Sequence, residues 1–152
     1  ERFIEAAVKL QKATGCGWIV FGANGDENAQ RIAAELAKQT SADAVCDLVG
    51  KTSLLQLCAG LKYCAAVLTN DSGPMHAAAA LGTPVVVPFG STSIELTGPG
   101  LPGDSSTHKL LSADAPCAPC FLRECPVDFR CMNDIAVEQV VEAVLSTVQP
   151  VA

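Results

Sequence analysis

The sequence predicts an α/β fold, a parallel sheet covered by helices on both faces, and three observations predict it. Apolar runs alternate with segments of helical period from the first residues onward. The runs are apolar on both faces of a strand, as strands buried between helix layers must be. The connections between successive elements are short, which suits repeated strand–helix units with right-handed crossovers. At 152 residues, 49% of them hydrophobic, the chain is about one domain and can bury a single core.

Phe3, Ile4, Ala7, Val8 and Leu10 recur at helical spacing, so a helix over residues 1–10 opens the chain. Cys16-Gly17-Trp18-Ile19-Val20-Phe21 is a continuous apolar run and reads as a central parallel strand. Gly22 to Glu27 form a turn whose acidic end starts a helix with Ala29, Ile32, Ala33, Leu36 and Ala37 along one stripe. Val45 to Val49 make a short strand. Leu54, Leu57, Cys58 and Leu61 mark the next helix, capped by Thr52 or Ser53. Ala65 to Leu68 form a strand, followed by a tight turn, a small-residue helix and the strand Val85 to Pro88.

After that strand the character changes. Residues 90–105 contain four glycines besides Pro99 and Pro102 and read as one long loop. His108 to Leu111 add an edge strand, residues 115–131 hold a cysteine-rich segment, and Val137, Val140, Val141, Val144, Leu145 and Val148 define a last amphipathic helix. No internal repeat, low-complexity tract or interdomain linker is present. The loops 22–26, 50–53, 70–76 and 89–98 all follow strands and are expected on one rim, where open α/β sheets bind ligands.

A formal charge of −6 argues against a nucleic-acid partner, which requires a basic face. No apolar run reaches the roughly 18 to 20 residues that span a bilayer, and the first residues lack a signal-peptide pattern, so an intracellular chain is expected. Eight cysteines in a chain with continuous apolar strands do not require a disulfide framework. Cys16, Cys46, Cys58 and Cys64 lie in or beside apolar elements and read as small buried hydrophobes. Trp18 and Met75 read as core residues.

The chemistry concentrates in Thr69-Asn70-Asp71-Ser72-Gly73-Pro74-Met75-His76, ahead of an alanine run. A strand that turns sharply into a helix aims unpaired backbone N–H groups and the positive end of the helix dipole at one spot, a seat for an anion such as a phosphate. Pro74 has no N–H, which leaves Ser72, Gly73 and Met75 as backbone donors. Ser72 can cap or donate, Gly73 permits close approach, and His76 can donate to a phosphate oxygen from the first turn, or merely cover the sheet. A carboxylate repels phosphate, so Asp71 either orients the turn or binds a sugar hydroxyl.

Asp71-Ser72-Gly73, His76, the alanine run, Pro84 and Phe89-Gly90-Ser91-Thr92 resemble the lipopolysaccharide heptosyltransferases of glycosyltransferase family 9. Cys117-Ala118-Pro119-Cys120, Arg123 and Cys125-Pro126 are similar to a cysteine-rich segment of inner-core heptosyltransferases. The resemblance covers most of the chain and implies a GT-B enzyme with two Rossmann-like domains. This chain would be the C-terminal, nucleotide-sugar-binding half, without its first strand and without the N-terminal acceptor domain that carries the catalytic base. It implies inverting transfer of heptose from ADP-heptose to the lipopolysaccharide inner core at the cytoplasmic face of the inner membrane of a Gram-negative bacterium. No cofactor is implied, peripheral membrane association is compatible with it, and the chain alone should bind ADP weakly and transfer nothing.

By the same resemblance Asp71, Ser72, Gly73, Met75 and His76 hold the diphosphate and sugar. Asp26 or Glu27 meets the ribose hydroxyls, Thr52 lines the adenine with Lys51 beside it, and Gly90, Ser91 and Thr92 lie near the sugar end. Simpler roles stand beside these: an acid in a first helical turn, a cap at Ser53, an ordinary loop at Ser91. Two other functions stay open, a related GT-B glycosyltransferase or sugar epimerase with a different nucleotide, and a metal- or thiol-dependent interaction module built on Cys117, Cys120, Cys125 and Cys131. Arg123 and Arg130 can alternatively face phosphates of an acceptor lipid.

Overall fold

The computed structural model describes residues 1–100 and 107–148. Thirteen-residue helices α1 (Arg2–Thr14) and α2 (Glu27–Gln39) flank strand β1 (Trp18–Val20), and a 3-10 turn at Ala42–Ala44 leads to β2 (Val45–Asp47). Then follow α3 (Leu54–Tyr63), β3 (Val67–Leu68), α4 (Gly73–Ala80), β4 (Val85–Phe89), α5 (Ile94–Thr97), β5 (Lys109–Ser112), α6 (Arg130–Asn133) and α7 (Val137–Thr147). Two compact units divide the chain, Glu1–Ala59 and Gly60–Ala152, and the division falls within α3.

In Glu1–Ala59, β1 and β2 pair in parallel with Trp18 opposite Val45 and Val20 opposite Asp47. One face of the pair meets the apolar stripes of both helices: Ile4, Ala7, Val8 and Leu36 form a buried cluster, with Trp18, Ile32 and Val45 packed against it. Strand side chains alternate, so Ile19 and Cys46 point the other way. Ile19 is 40% exposed and Cys46 is exposed, which corrects two expectations. Among the described residues β1 has one strand partner rather than two, and none of the four cysteines read as buried hydrophobes is buried: Cys46 is exposed, and Cys16, Cys58 and Cys64 are half-buried. Gly15, in the left-handed region at φ 70°, closes α1 by donating its N–H to Gln11 O at 2.8 Å.

In Gly60–Ala152 the order is β3-β4-β5, all parallel. Every residue of β4 is buried, and the side chains of Val85, Val86 and Val87 are fully so. α4 packs on β4 through the small-residue stripe and Met75, while α7 packs on β4 and β5 with Val137, Val140, Ala143 and Val144 buried. Burial of one such side chain contributes about 1.5–3 kcal/mol. Two buried polar residues tie the unit: Thr83 Oγ1 donates to Leu61 O at 3.0 Å, and His108 Nδ1 accepts the Val85 N–H at 3.3 Å. That second bond starts the central strand and was not foreseen, since His108 reads only as the head of an edge strand.

The predicted elements are present with shifted ends. The expected loop over 90–105 contains a helical turn, α5, capped by Ser93 Oγ, which accepts the Leu96 N–H at 3.4 Å. Residues 101–105 of that loop lie outside the described residues. α7 stops at Thr147 with Val148 as its C-cap, and the capping choice at α3 falls to Ser53 rather than Thr52. Ser53 Oγ accepts the Gln56 N–H at 3.3 Å, and Gln56 Oε1 accepts the Ser53 N–H at 2.9 Å. No helix among the described residues is long and apolar enough to cross a membrane.

Candidate functional site

β3 enters the Thr69–Ala80 segment with the Thr69 N–H still in the ladder, donating to Val86 O at 3.1 Å. The chain then leaves the sheet and turns into α4. Ser72 takes the N-cap position with extended backbone, and Pro74 sits in the first turn, where its missing N–H costs nothing. Ser72 Oγ does not cap; it donates to Asn70 O at 3.0 Å and lies 3.3 Å from Thr69 Oγ1. The hydroxyls therefore brace the turn and leave the helix amides without a side-chain cap.

Among the described residues the backbone N–H groups of Ser72 and Gly73 have no acceptor. Met75 is different, and its expected donor role is corrected. Its N–H closes onto Ser72 O at 3.1 Å and its side chain is fully buried, as expected of a core residue. Gly73 is exposed, and a Cβ there would meet nothing within 4 Å, so packing does not demand glycine at this position. His76 is exposed and has no hydrogen-bond partner among the described residues, so it does not cover the sheet.

Asp71 is half-buried and tied. Its Oδ2 lies 2.7 Å from Thr97 Oγ1, whose hydroxyl also lies 2.9 Å from Ser93 O within α5. The bond joins the turn after β3 to the helix after β4, and Thr97 is the site residue that sequence reading missed. The only local sign of it is Ser93, a helix cap three residues ahead of Leu96 inside a stretch dominated by glycine and proline.

Gly90, Ser91 and Thr92 follow β4. A Cβ on Gly90 would come within 2.7 Å of Met132 Cγ and 2.8 Å of its Sδ, so a larger residue here would have to displace the Met132 side chain of α6. Ser91 O accepts two backbone N–H groups, from Cys120 at 3.0 Å and Phe121 at 2.8 Å. Loops 70–76 and 89–98 thus meet within their unit.

In Glu1–Ala59 the other two loops also meet: the Gly50 N–H donates to Gly22 O at 2.9 Å. Gly22 has no room for a side chain, since a Cβ would lie 2.6 Å from Ala29 Cβ. Asp26 is the N-cap of α2, its Oδ1 accepting the Ala29 N–H at 2.9 Å, while Glu27 is exposed in the first turn. Lys51 is exposed and paired: its Nζ lies 3.0 Å from Asp47 Oδ2 and 2.9 Å from Asp47 O. The Val49 N–H above all, and then Lys51, hold the Asp47 carboxyl below the usual range. Thr52, half-buried, takes no part in capping.

The cysteine-rich segment has no disulfide; all eight cysteines are free. Cys125 Sγ accepts the Phe129 N–H at 3.3 Å, and the amides of Val127 and Phe129 hold its thiol below the ordinary range. Burial, and then the neighbouring Cys117, Cys125 and Cys120, push Cys131 up. Among the described residues no group of three or more His, Cys, Asp or Glu side chains is arranged to hold a metal ion. Arg130, which is exposed, forms a fork on Asp128, Nε to Oδ1 at 3.0 Å and Nη2 to Oδ2 at 2.9 Å. Arg123 is exposed.

Open amides at the head of a helix on a parallel α/β scaffold are complementary to an anion. The profile of glycosyltransferase family 9 (heptosyltransferase) matches residues 1–129, and the chain belongs to that family. It is 36% identical over 97 residues, 63% of its length, to lipooligosaccharide heptosyltransferase 2 of Campylobacter jejuni, of which this covers 30%. It is 41% identical over 83 residues, 53% of its length, to lipopolysaccharide heptosyltransferase 2 of Escherichia coli, of which this covers 23%. The E. coli ADP-heptose LPS heptosyltransferase II structure superposes over 97% of the chain and 40% of its own, with a TM-score of 0.76 and 28% identity. A family 9 glycosyl transferase from Veillonella parvula, 23% identical, shares the fold over 97% of the chain and 40% of its own, with a TM-score of 0.74. The chain thus spans less than a third of the curated relatives' length and has the mixed parallel α/β fold of GT-B family 9 transferases.

Proposed function

We propose that this chain is the donor-binding domain of an inverting transferase that moves heptose from ADP-heptose onto the lipopolysaccharide inner core. The observation that carries the reading is the pair of amides at Ser72 and Gly73, at the head of α4 and beside the exposed His76, all three without a hydrogen-bond partner among the described residues. Dipole, amides and imidazole are complementary to a departing diphosphate, whose charge grows as the glycosidic bond breaks. Asp71, held by Thr97, is kept at a fixed orientation to accept from a sugar hydroxyl. Gly90, Ser91 and Thr92 are assigned the sugar end.

The nucleoside is assigned to Asp26, Glu27, Lys51 and Thr52. One Asp26 oxygen caps α2, which leaves its other oxygen and the exposed Glu27 carboxylate to accept from ribose hydroxyls. The base that deprotonates the acceptor hydroxyl is assigned to a second, N-terminal domain of the complete enzyme, together with the lipopolysaccharide acceptor. We place that enzyme in the cytoplasm at the inner face of the inner membrane, with peripheral membrane association, and expect the chain by itself to bind ADP weakly and transfer nothing.

The test is calorimetric titration of the complete transferase with ADP, UDP and GDP. ADP should bind tightest of the three; equal affinities would overturn the donor assignment and leave the fold standing.

A further inference from the structure

We propose that the cysteine-rich segment is a clamp that positions the loop after β4 for the sugar end of the donor, a role that rests on the assignment of Gly90, Ser91 and Thr92 given above. Two successive residues of the loop are gripped. On one side, Cys120 and Phe121 direct consecutive N–H groups at Ser91 O, 3.0 and 2.8 Å away, which satisfies both lone pairs of that carbonyl. On the other, Met132 lies flat against Gly90, with buried Cys131 Sγ 3.7 Å from where a Cβ would stand.

The grip reaches further along the chain. Ser93 caps α5, and Thr97 at the end of α5 bonds Asp71 at 2.7 Å, so an unbroken path runs from the cysteine-rich segment through the loop to the turn after β3. Phe121 pays for its place with a left-handed backbone, φ 56°, while its ring stays 50% exposed. A bulky residue in that region is unfavourable unless its surroundings hold it there. What holds this one is its amide bond to Ser91, not burial of its ring. Phe129, at φ 54°, closes the far side of the segment, its carbonyl accepting the Met132 and Asn133 N–H groups at 2.9 Å each.

The backbone requirement supplies the test. In the complete transferase, Phe121→Val opposes a positive φ while Phe121→Gly accommodates it, and both remove the ring. Phe121→Val should raise the KM for the nucleotide sugar about tenfold, the scale of a pair of lost hydrogen bonds. Phe121→Gly should retain the wild-type KM, and neither should change the KM for the acceptor or the Kd for free ADP, which lacks the transferred sugar. Wild-type KM in the valine variant overturns the clamp. So does an equal rise in both variants, which would assign the effect to the ring.

Should Phe121→Val fail to fold, Phe121→Ala decides: its Cβ meets the same positive φ with less bulk, so it should raise the same KM severalfold above that of Phe121→Gly. A KM equal to that of Phe121→Gly overturns the clamp. These outcomes concern donor KM in related variants, whereas failure of the donor reading shows in the wild type as absence of an ADP preference.

Discussion

The turn between β3 and α4 and the cysteine-rich segment are both irregular backbone in the same unit, yet they are held in opposite ways. The turn is short, its hydroxyls brace it locally, and it is anchored through half-buried β3 to β4, every residue of which is buried. The cysteine-rich segment has no element between Ser112 and Arg130 and exposes Phe121, Leu122, Val127 and Phe129 by half or more. It keeps its shape through hydrogen bonds to a distant loop and through packing of Cys131 and Met132. Core burial therefore stabilises the first, and directional contacts specify the second.

Two phenylalanines break or sharpen that contrast most strongly. Phe89 ends β4 at 1% exposure, and Phe89→Ala should destabilise the protein by about 3–5 kcal/mol in urea unfolding followed by circular dichroism. Phe129 is 55% exposed, and Phe129→Ala should cost less than about 1 kcal/mol. Similar losses for both would mean that the cysteine-rich segment has a core of its own.

His76→Ala reads the turn alone. Because the side chain is exposed and unpartnered among the described residues, the unfolding midpoint should stay where it is. The Kd for ADP in the complete transferase should rise about tenfold, as one lost charge-assisted contact predicts. Full-strength binding would remove His76 from the diphosphate site and leave the amides of Ser72 and Gly73 to carry it.

The same contrast explains what could be read from the amino-acid order. Strand, turn and helix around Asp71 are local consequences of an apolar run, a glycine, a proline and small residues, so their order and place were legible. Met75 was half legible. Its burial follows from the helix period, but the closure of its N–H onto Ser72 O depends on how tightly the first turn winds. Ile19 and Cys46 misled because an apolar run does not reveal how many strands flank it. Thr97 and His108 were invisible in their roles, since each bond joins residues 26 and 23 positions apart with no periodicity to announce it. Gly90 was noticed for a ligand, but the side chain that crowds it, Met132, lies far along the chain.

The smallest effect separates thiols within the cysteine-rich segment. The amides of Val127 and Phe129 hold the Cys125 thiol low, whereas burial and neighbouring thiols hold that of Cys131 high. Only the thiolate alkylates, so at pH 7 a brief exposure to iodoacetamide should label Cys125 severalfold faster than Cys131, read by peptide mass spectrometry. Raising the pH to 9 increases the thiolate fraction of Cys131 more than that of Cys125, which is already further ionised, and should narrow the ratio. The difference that persists at pH 9 combines the remaining gap in ionisation with burial, because the Cys131 thiol is held above the ordinary range and is 8% exposed. Equal labelling at pH 7 would mean that the amides do not hold Cys125 in solution, and the turn that carries Phe129 over Met132 would lose its anchor.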